Sequence, residues 1–350
     1  MKIRFFTDPH IGLNRTSHTT PASRAKLKQA LVDQVLALQD TDLRTVCLGD
    51  LFDTFDTDNQ SLLNGIDIFK RNDLTLFGNH DLSNRVDQLS SIEVANRICN
   101  PGDIFLERDN GVTSPTANTM GSVKGKMWWV DHKLNQEIFE GALQDAYDRA
   151  GEGDILLLHC NYNSPFATQE STLNLSRDDA ETLLEKFSYI LMGHEHMPRE
   201  DFDGRLILLG NTHPTGFSDI SDKFAYDFEI EDGKVISIVK EQIWDENLGY
   251  LSLDWTDLSE LTDVSPMVQF IEVKGTADQQ HMPFIASQVA KLWTLSDNLL
   301  MVRNAVTSIA GVNEITINEA TRCQSVPERI STELAGTKLE PLWSAYLGAI

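Results

Sequence analysis

The chain of 350 residues is long enough for one large domain and a smaller one, and its 41% hydrophobic and 23% charged content is that of an ordinary soluble protein. No run of about 18 apolar residues occurs, which argues against a helical membrane span. A net charge of −24 argues against a surface that binds nucleic acid everywhere, because such binding rests on Lys and Arg contacts to phosphate.

Residues 1 to 7 read as a first strand ending at Asp8-Pro9-His10, where proline breaks the ladder. The acid at Asp8 comes too early for a signal peptide, so a cytoplasmic location is expected. A helix is predicted over Ala22 to Leu38, with Leu27, Leu31, Val35 and Leu38 on one face. The strand Thr45-Val46-Cys47-Leu48 stops at Gly49-Asp50-Leu51-Phe52-Asp53, and a second helix covers about Asn59 to Arg71. Leu74-Thr75-Leu76-Phe77 then runs into the turn Gly78-Asn79-His80-Asp81. This alternation is the βαβ pattern of a largely parallel sheet, whose chemistry sits at the carboxyl ends of the strands.

Pro101 to Val130 is turn-rich, with an insertion-like piece at Ser114 to Lys126, and a helix is expected over Asn135 to Arg149. The buried strand Asp154 to Leu158 delivers His159, and the polar stretch Cys160 to Ser176 reads as a loop. Arg177 to Lys186 reads as helix, and Tyr189 to Met192 as a strand ending in Gly193-His194-Glu195-His196. Strands near Arg205 to Leu209, Phe224 to Ile230 and Val235 to Val239 suggest an antiparallel meander that closes the domain. Acidic, turn-prone sequence then reads as a linker. Strands at Val268 to Val273 and Leu299 to Arg303, with a helix from His281 to Leu292 between them, form a small βαβ-like unit. The resulting division is a domain over 1–248, a linker over 249–265, a small unit over 266–320 and a tail over 321–350. The tail holds a possible strand at Glu314 to Asn318 and a helix near Leu339 to Leu347, whose apolar stripe could be core or a partner-docking face.

The four cysteines, Cys47, Cys99, Cys160 and Cys323, have no metal-ligand spacing and read as core residues. Five strand ends carry metal-type ligands: Asp8 and His10, Asp50, Asn79, His159, and His194 with His196. Asp-x-His and His-x-His on extended exit segments would send both side chains to one side, toward a common centre. The pattern points to a dinuclear site. Imidazole, carboxylate and amide without thiolate favour Mn²⁺, Fe or Zn²⁺ over copper. Two such cations lower the pKa of a bound water.

Asp-x-His, Gly-Asp-x-x-Asp, Gly-Asn-His-Asp, His159 and Gly-His-x-His, in that order over about residues 1 to 215, resemble the calcineurin-like metallophosphoesterase superfamily. Asp8-Pro9-His10-Ile11-Gly12, Gly49 to Thr54 and Gly193 to His196 most resemble SbcD-type and Mre-type DNA repair nucleases of bacteria and phages. The resemblance implies a β-sandwich flanked by helices, in the α/β class, with a small α+β DNA-capping domain after it. It implies Asp8, His10 and His196 at one metal, Asn79, His159 and His194 at the other, and Asp50 between them. His80 would remain unligated beside the scissile phosphate with Asp81 orienting it, and the role of Asp53, often His in Mre-type relatives, is left open. Mn²⁺, DNA as substrate, an SbcC-like ATPase partner docked through the C-terminal helix and a possible homodimer are implied as well, with the host cytoplasm as location for a phage-encoded chain.

A phosphodiesterase or phosphatase acting on small nucleotides or phosphoproteins is the competing enzyme, though Thr54 and Asp81 stand where phosphoprotein phosphatases carry Arg and Glu. A scaffold without catalysis would lack ligands, and none is missing. Two acid-free stretches, Pro9 to Val32 with Arg15, Arg24, Lys26 and Lys28, and Asn110 to Val130 with Lys124 and Lys126, are the places where DNA could approach.

Overall fold

The computed structural model describes residues 1–82, 88–100, 116–120, 126–164 and 173–309. The expected strand at 314–318, the helix at 339–347, Lys124 and Cys323 lie outside these residues, as do parts of segments 114–126 and 160–176.

The first strand, β1 (Lys2–Phe6), pairs in parallel with β2 (Arg44–Cys47), which pairs in parallel with β3 (Leu74–Thr75). On its other side β1 meets β12 (Lys223–Glu231) antiparallel, and β13 (Lys234–Trp244) forms a hairpin with β12, completing a five-stranded sheet. A second sheet of six strands contains β4 (Asn118–Met120), β5 (Met127–Val130), β6 (Asp154–His159), β9 (Phe187–Gly193), β10 (Arg199–Asp201) and β11 (Leu206–Leu208), in the order β10-β11-β9-β6-β5-β4. A short parallel pair, β7 (Asn161–Tyr162) with β8 (Asn174–Leu175), follows β6 outside these sheets.

The two sheets stack face to face because their strands alternate apolar residues on both faces. Ile3 and Phe5 of β1, Val46 of β2, Ile155 and Leu157 of β6 and Leu191 of β9 fill the space between the sheets. Phe6 and Cys47 point the other way, into a layer shared with α1 (Pro21–Gln39), α2 (Asn59–Arg71) and α3 (Ser91–Cys99). Leu156 and Leu158 likewise pack under α4 (Gln136–Arg149) and α5 (Arg177–Leu183). The result is a β-sandwich covered by helices on both sides, the expected fold class. Helix α1 starts at a Thr20–Ser23 capping box, and Leu27, Leu31, Val35 and Leu38 are its buried face.

Two expectations are corrected. The last strands of the domain do not form one antiparallel meander: β12 and β13 join the first sheet, while β11 pairs in parallel with β9 in the second. Pairings such as Lys2 with Glu229 span most of the domain, and hydrophobic patterning carries no information on such partners. Nor is 249–265 only a linker. It holds β14 (Tyr250–Asp254), which pairs in parallel with β15 (Phe270–Lys274), itself parallel to β17 (Met301–Asn304). Leu251 and Leu253 pack on the small unit's core, an alternation that the acidic surroundings masked. That core is Ile271, Val273, Ile285, Leu292 and Val302, covered by α6 (Met282–Leu292), and β16 (Thr276–Asp278) pairs with β18 (Thr307–Ile309) beside it. Phe270 and Met301 face the opposite way, into the α1 layer with Trp244. Cys47 and Cys160 are buried and unbridged, and Cys99 is half-buried. Among the described residues no helix is long and apolar enough to cross a membrane.

Candidate metal centre

Five loops meet at the carboxyl ends of β1, β2, β3, β6 and β9, and they bring together all seven ligands expected from the sequence. Asp8, His10 and His196 present ligand atoms within 4.8 Å of one another, and so do Asp50, His159 and His194. The amide oxygen of Asn79 joins the second group, 2.8 Å from His194 Nδ1 and 3.3 Å from His159 Nε2. His10, Asp53 and His80 form a third cluster that shares His10 with the first.

The exit segments are not extended. Asp8 (φ 53°), His10 (φ 47°), Asp50 (φ 48°) and His194 (φ 89°) all sit in the left-handed region, which costs a non-glycine residue on the order of 1–3 kcal/mol. Sharp turns, not strand parity, aim these side chains. The surrounding hydrogen bonds hold the turns in place. Asp8 N donates to Gly49 O (3.1 Å), His10 N to Asp50 O (3.1 Å) and Ile11 N to Leu51 O (2.9 Å), so the β1 and β2 exits are zipped together. Gly78 lies so close to Asp50 that a Cβ would overlap Asp50 Oδ1.

Asp8 Oδ2 accepts from Thr7 Oγ1 (2.5 Å) and His194 N (2.9 Å). That leaves Oδ1 buried without a hydrogen-bond partner, 3.8 Å from His10 Nε2 and 4.0 Å from His196 Nε2. The two imidazole nitrogens themselves lie 2.9 Å apart. Asp50 Oδ1 accepts from His80 N (2.9 Å), and Oδ2 lies 3.3 Å from His159 Nε2. His159 Nδ1 donates to Leu48 O (2.7 Å), which leaves Nε2 as the nitrogen turned toward Asp50 and Asn79.

The charges of the cluster act strongly on one another. Burial opposes the charge of His159, but Asp50 and Asp8 overcome it and hold the imidazole up to about 10. Burial likewise opposes the charge of Asp50, and His159, His10 and His80 overcome it to keep the carboxyl below the usual range. His194 is pushed down to about 4 by burial and by His159, and burial also lowers His10. A partnerless buried carboxylate oxygen, converging imidazoles and an amide oxygen form a donor set that fits two divalent first-row cations. Asp8, His10 and His196 would hold one and Asn79, His159 and His194 the other. Asp50 stands with the second group, and its charge acts on His10 of the first.

His80 is exposed at the rim, its Nδ1 2.6 Å from Asp53 O and its ring edge-to-face with His10. Asp81 does not orient it. The Asp81 carboxylate is buried and accepts from Leu51 N (3.2 Å), Phe52 N (3.0 Å) and Gly78 N (3.0 Å), so it ties the β2 and β3 exits together. Burial and the charge of Asp50 push it up to about 7. Asp53, left open by the sequence, supplies that carbonyl to His80 and places Oδ1 3.5 Å from His10 Nδ1. The sequence reading missed Asp219 and Asn211, in the loop after β11, and Lys223 at the start of β12, which surround His196 with no motif to mark them.

No curated protein matches the chain. Among solved structures it is similar to a candidate 5′-nucleotidase from Staphylococcus aureus (13% identity, 69% of this chain and 54% of that one, TM-score 0.42). It is also similar to the sulfate thiohydrolase SoxB from Thermus thermophilus (13%, 69% and 56%, 0.36) and to a metallophosphoesterase from Sphaerobacter thermophilus (13%, 69% and 88%, 0.33). The chain thus spans about half the length of the first two. At the level of sequence, residues 1–198 match the calcineurin-like phosphoesterases, a span that holds all seven converging ligands, and the chain belongs to that family.

Proposed function

We propose that this protein is a divalent-metal-dependent DNA nuclease of the SbcD type, a 3′-to-5′ exonuclease and endonuclease that works in the cytoplasm with an SMC-like, SbcC-type ATPase. The observation that carries the reading is the meeting of seven ligands beside an exposed His80. When bound, the cations, Mn²⁺ by resemblance with Fe or Zn²⁺ as alternatives, supply an activated water and draw charge from a phosphoryl oxygen.

The chain supplies the rest. Asp8 and Asp50 carry only two negative charges toward two divalent cations, so the centre stays cationic and attracts a phosphodiester despite the acidic surface. His80 donates through Nδ1 to the Asp53 carbonyl and keeps its other nitrogen for the leaving oxygen, to which the ring passes a proton when both nitrogens carry one. An open depression of about 530 Å³ beside His194 and His196, lined by Tyr162, Asn163 and Ser164, gives a strand room to continue past the cut.

One observation favours a second reading, a phosphodiesterase on small nucleotides. Of the basic residues expected to guide DNA, Lys28 is bound to Asp58 (2.7 Å), and Lys26 bonds Asp297 O (2.5 Å). Among the described residues, approach would then rest on Arg15, Arg24 and Lys126. An Mn²⁺-supplemented assay on labelled single- and double-stranded DNA beside cyclic mononucleotides separates the two: cleavage of DNA supports the nuclease, and cleavage of the mononucleotides alone overturns it.

A further inference from the structure

We propose that Asp219 is the positioning residue for His196, fixing which ring nitrogen faces the metals and aiming it between Asp8 and His10. The inference rests on the metal-centre reading above.

The geometry leaves the imidazole little choice. Asp219 is buried at 4% exposure, and its Oδ2 lies 3.1 Å from His196 Nδ1. A carboxylate can only accept, so Nδ1 carries the hydrogen and Nε2 keeps the lone pair, on the side of Asp8 Oδ1 and His10 Nε2. Asp219 is itself held from several directions. Asn211 Nδ2 (2.7 Å), Thr215 Oγ1 (2.9 Å) and Thr215 N (3.0 Å) donate to Oδ2, and Gly216 N (2.9 Å) donates to Oδ1. Lys223, fully buried, donates from Nζ to Asp219 O (2.7 Å) and His196 O (3.0 Å), clamping both backbones with one ammonium. A carboxylate held this firmly is built to hold something else still. The loop between β11 and β12 would therefore belong to the metal centre although it contributes no ligand.

Among the described residues no hydrogen bond joins the second group of ligands to Asp219. His159 is oriented by the Leu48 carbonyl, and His194 faces Asn79. The inference therefore predicts an effect on one metal of two. In Asp219→Asn a single amide oxygen must serve the donors that two carboxylate oxygens serve here, and without the negative charge it holds the His196 Nδ1 hydrogen more weakly.

The test is a Mn²⁺ titration of the full chain followed by electron paramagnetic resonance of free Mn²⁺. Wild type should take up two ions, and Asp219→Asn should bind one of them about 10–100-fold more weakly while the other is unchanged. Equal affinities in variant and wild type, or an equal loss at both sites, overturns the positioning role while the metal reading stands. A wild type that takes up no Mn²⁺ sinks the metal reading itself. Should the variant not fold, histidine ¹⁵N spectra of Zn²⁺-loaded wild type decide the matter. The His196 signals should show hydrogen on Nδ1 and none on Nε2, and the reverse tautomer overturns the proposal.

Discussion

Replacing Gly78 by alanine tests the construction of the site with a single methyl group. An added Cβ would overlap Asp50 Oδ1, reach 2.5 Å from Asp50 N and 2.7 Å from Asp50 Cγ, and the neighbour on all three counts is a loop with little freedom. Asp50 is fixed by His80 N (2.9 Å), and Gly78 N by Asp81 (3.0 Å), so relief requires the β2 and β3 exits to part. Overpacking of this kind costs about 1–3 kcal/mol. Weakening the two charge-assisted hydrogen bonds adds about 1 kcal/mol each. The total, about 4 kcal/mol, corresponds to a fall in Tm of roughly 5 °C for a chain of this size. A shift of about 1 Å at Asp50 should also lower turnover on the order of 10²-fold. Thermal unfolding, Mn²⁺ uptake and hydrolysis of bis(p-nitrophenyl) phosphate read the three effects. A Gly78→Ala protein with wild-type Tm and wild-type turnover would refute the claim that close approach of these two loops builds the centre.

Other outcomes follow from the same geometry. His80→Ala should lower phosphodiester hydrolysis about 10²–10⁴-fold with uptake of both metals intact, and retained activity with Mn²⁺ would remove His80 from the chemistry. Neutralising Arg15, Arg24, Lys26 and Lys28 together should weaken DNA cleavage and spare a small aryl phosphodiester, whereas equal loss on both counts against DNA steering. Stability of the metal-free protein should fall as pH rises from about 6.5 toward 8. His159, raised to about 10 when folded, contributes stability below its unfolded value of 6.5 and loses it as pH climbs through the folded value. Above about 8 the slope should flatten, because Lys223, lowered to about 8 by burial, acts in the opposite sense. The fall over that window is on the order of 2 kcal/mol, measurable as Tm against pH, and Mn²⁺ should abolish it. A flat or rising metal-free profile contradicts the assignment of a proton to His159.

Much of this site was legible in the sequence because each ligand follows an apolar run that ends abruptly. Leu48 before Gly49-Asp50 and Leu158 before His159 mark strand ends, and strand ends in such folds converge. The way the ligands are aimed was not legible: hydrophobic patterning is silent on left-handed backbone at Asp8, His10 and His194. The only local hint is the glycine beside Asp50 and His194, residues that leave room for close approach. Asp81 was misplaced because its role was carried over from the family resemblance, whereas the turn sends its carboxylate back under the loops toward Leu51 and Phe52. Asp219 left no trace, since its role depends on a contact across 23 residues between two irregular segments. The division of strands between two sheets was hidden for the same reason, being decided by pairings such as Phe5 with Tyr226.

The central claim is that side chains from five separate strand ends hold two cations side by side. Diffraction from crystals grown with Mn²⁺, collected for anomalous scattering, tests it most directly. Two peaks should appear about 3.5–4 Å apart, one against Asp8, His10 and His196, the other against Asn79, His159 and His194, with Asp50 reaching both. Density without a peak among these residues at saturating Mn²⁺, or peaks only elsewhere on the acidic surface, would contradict the account.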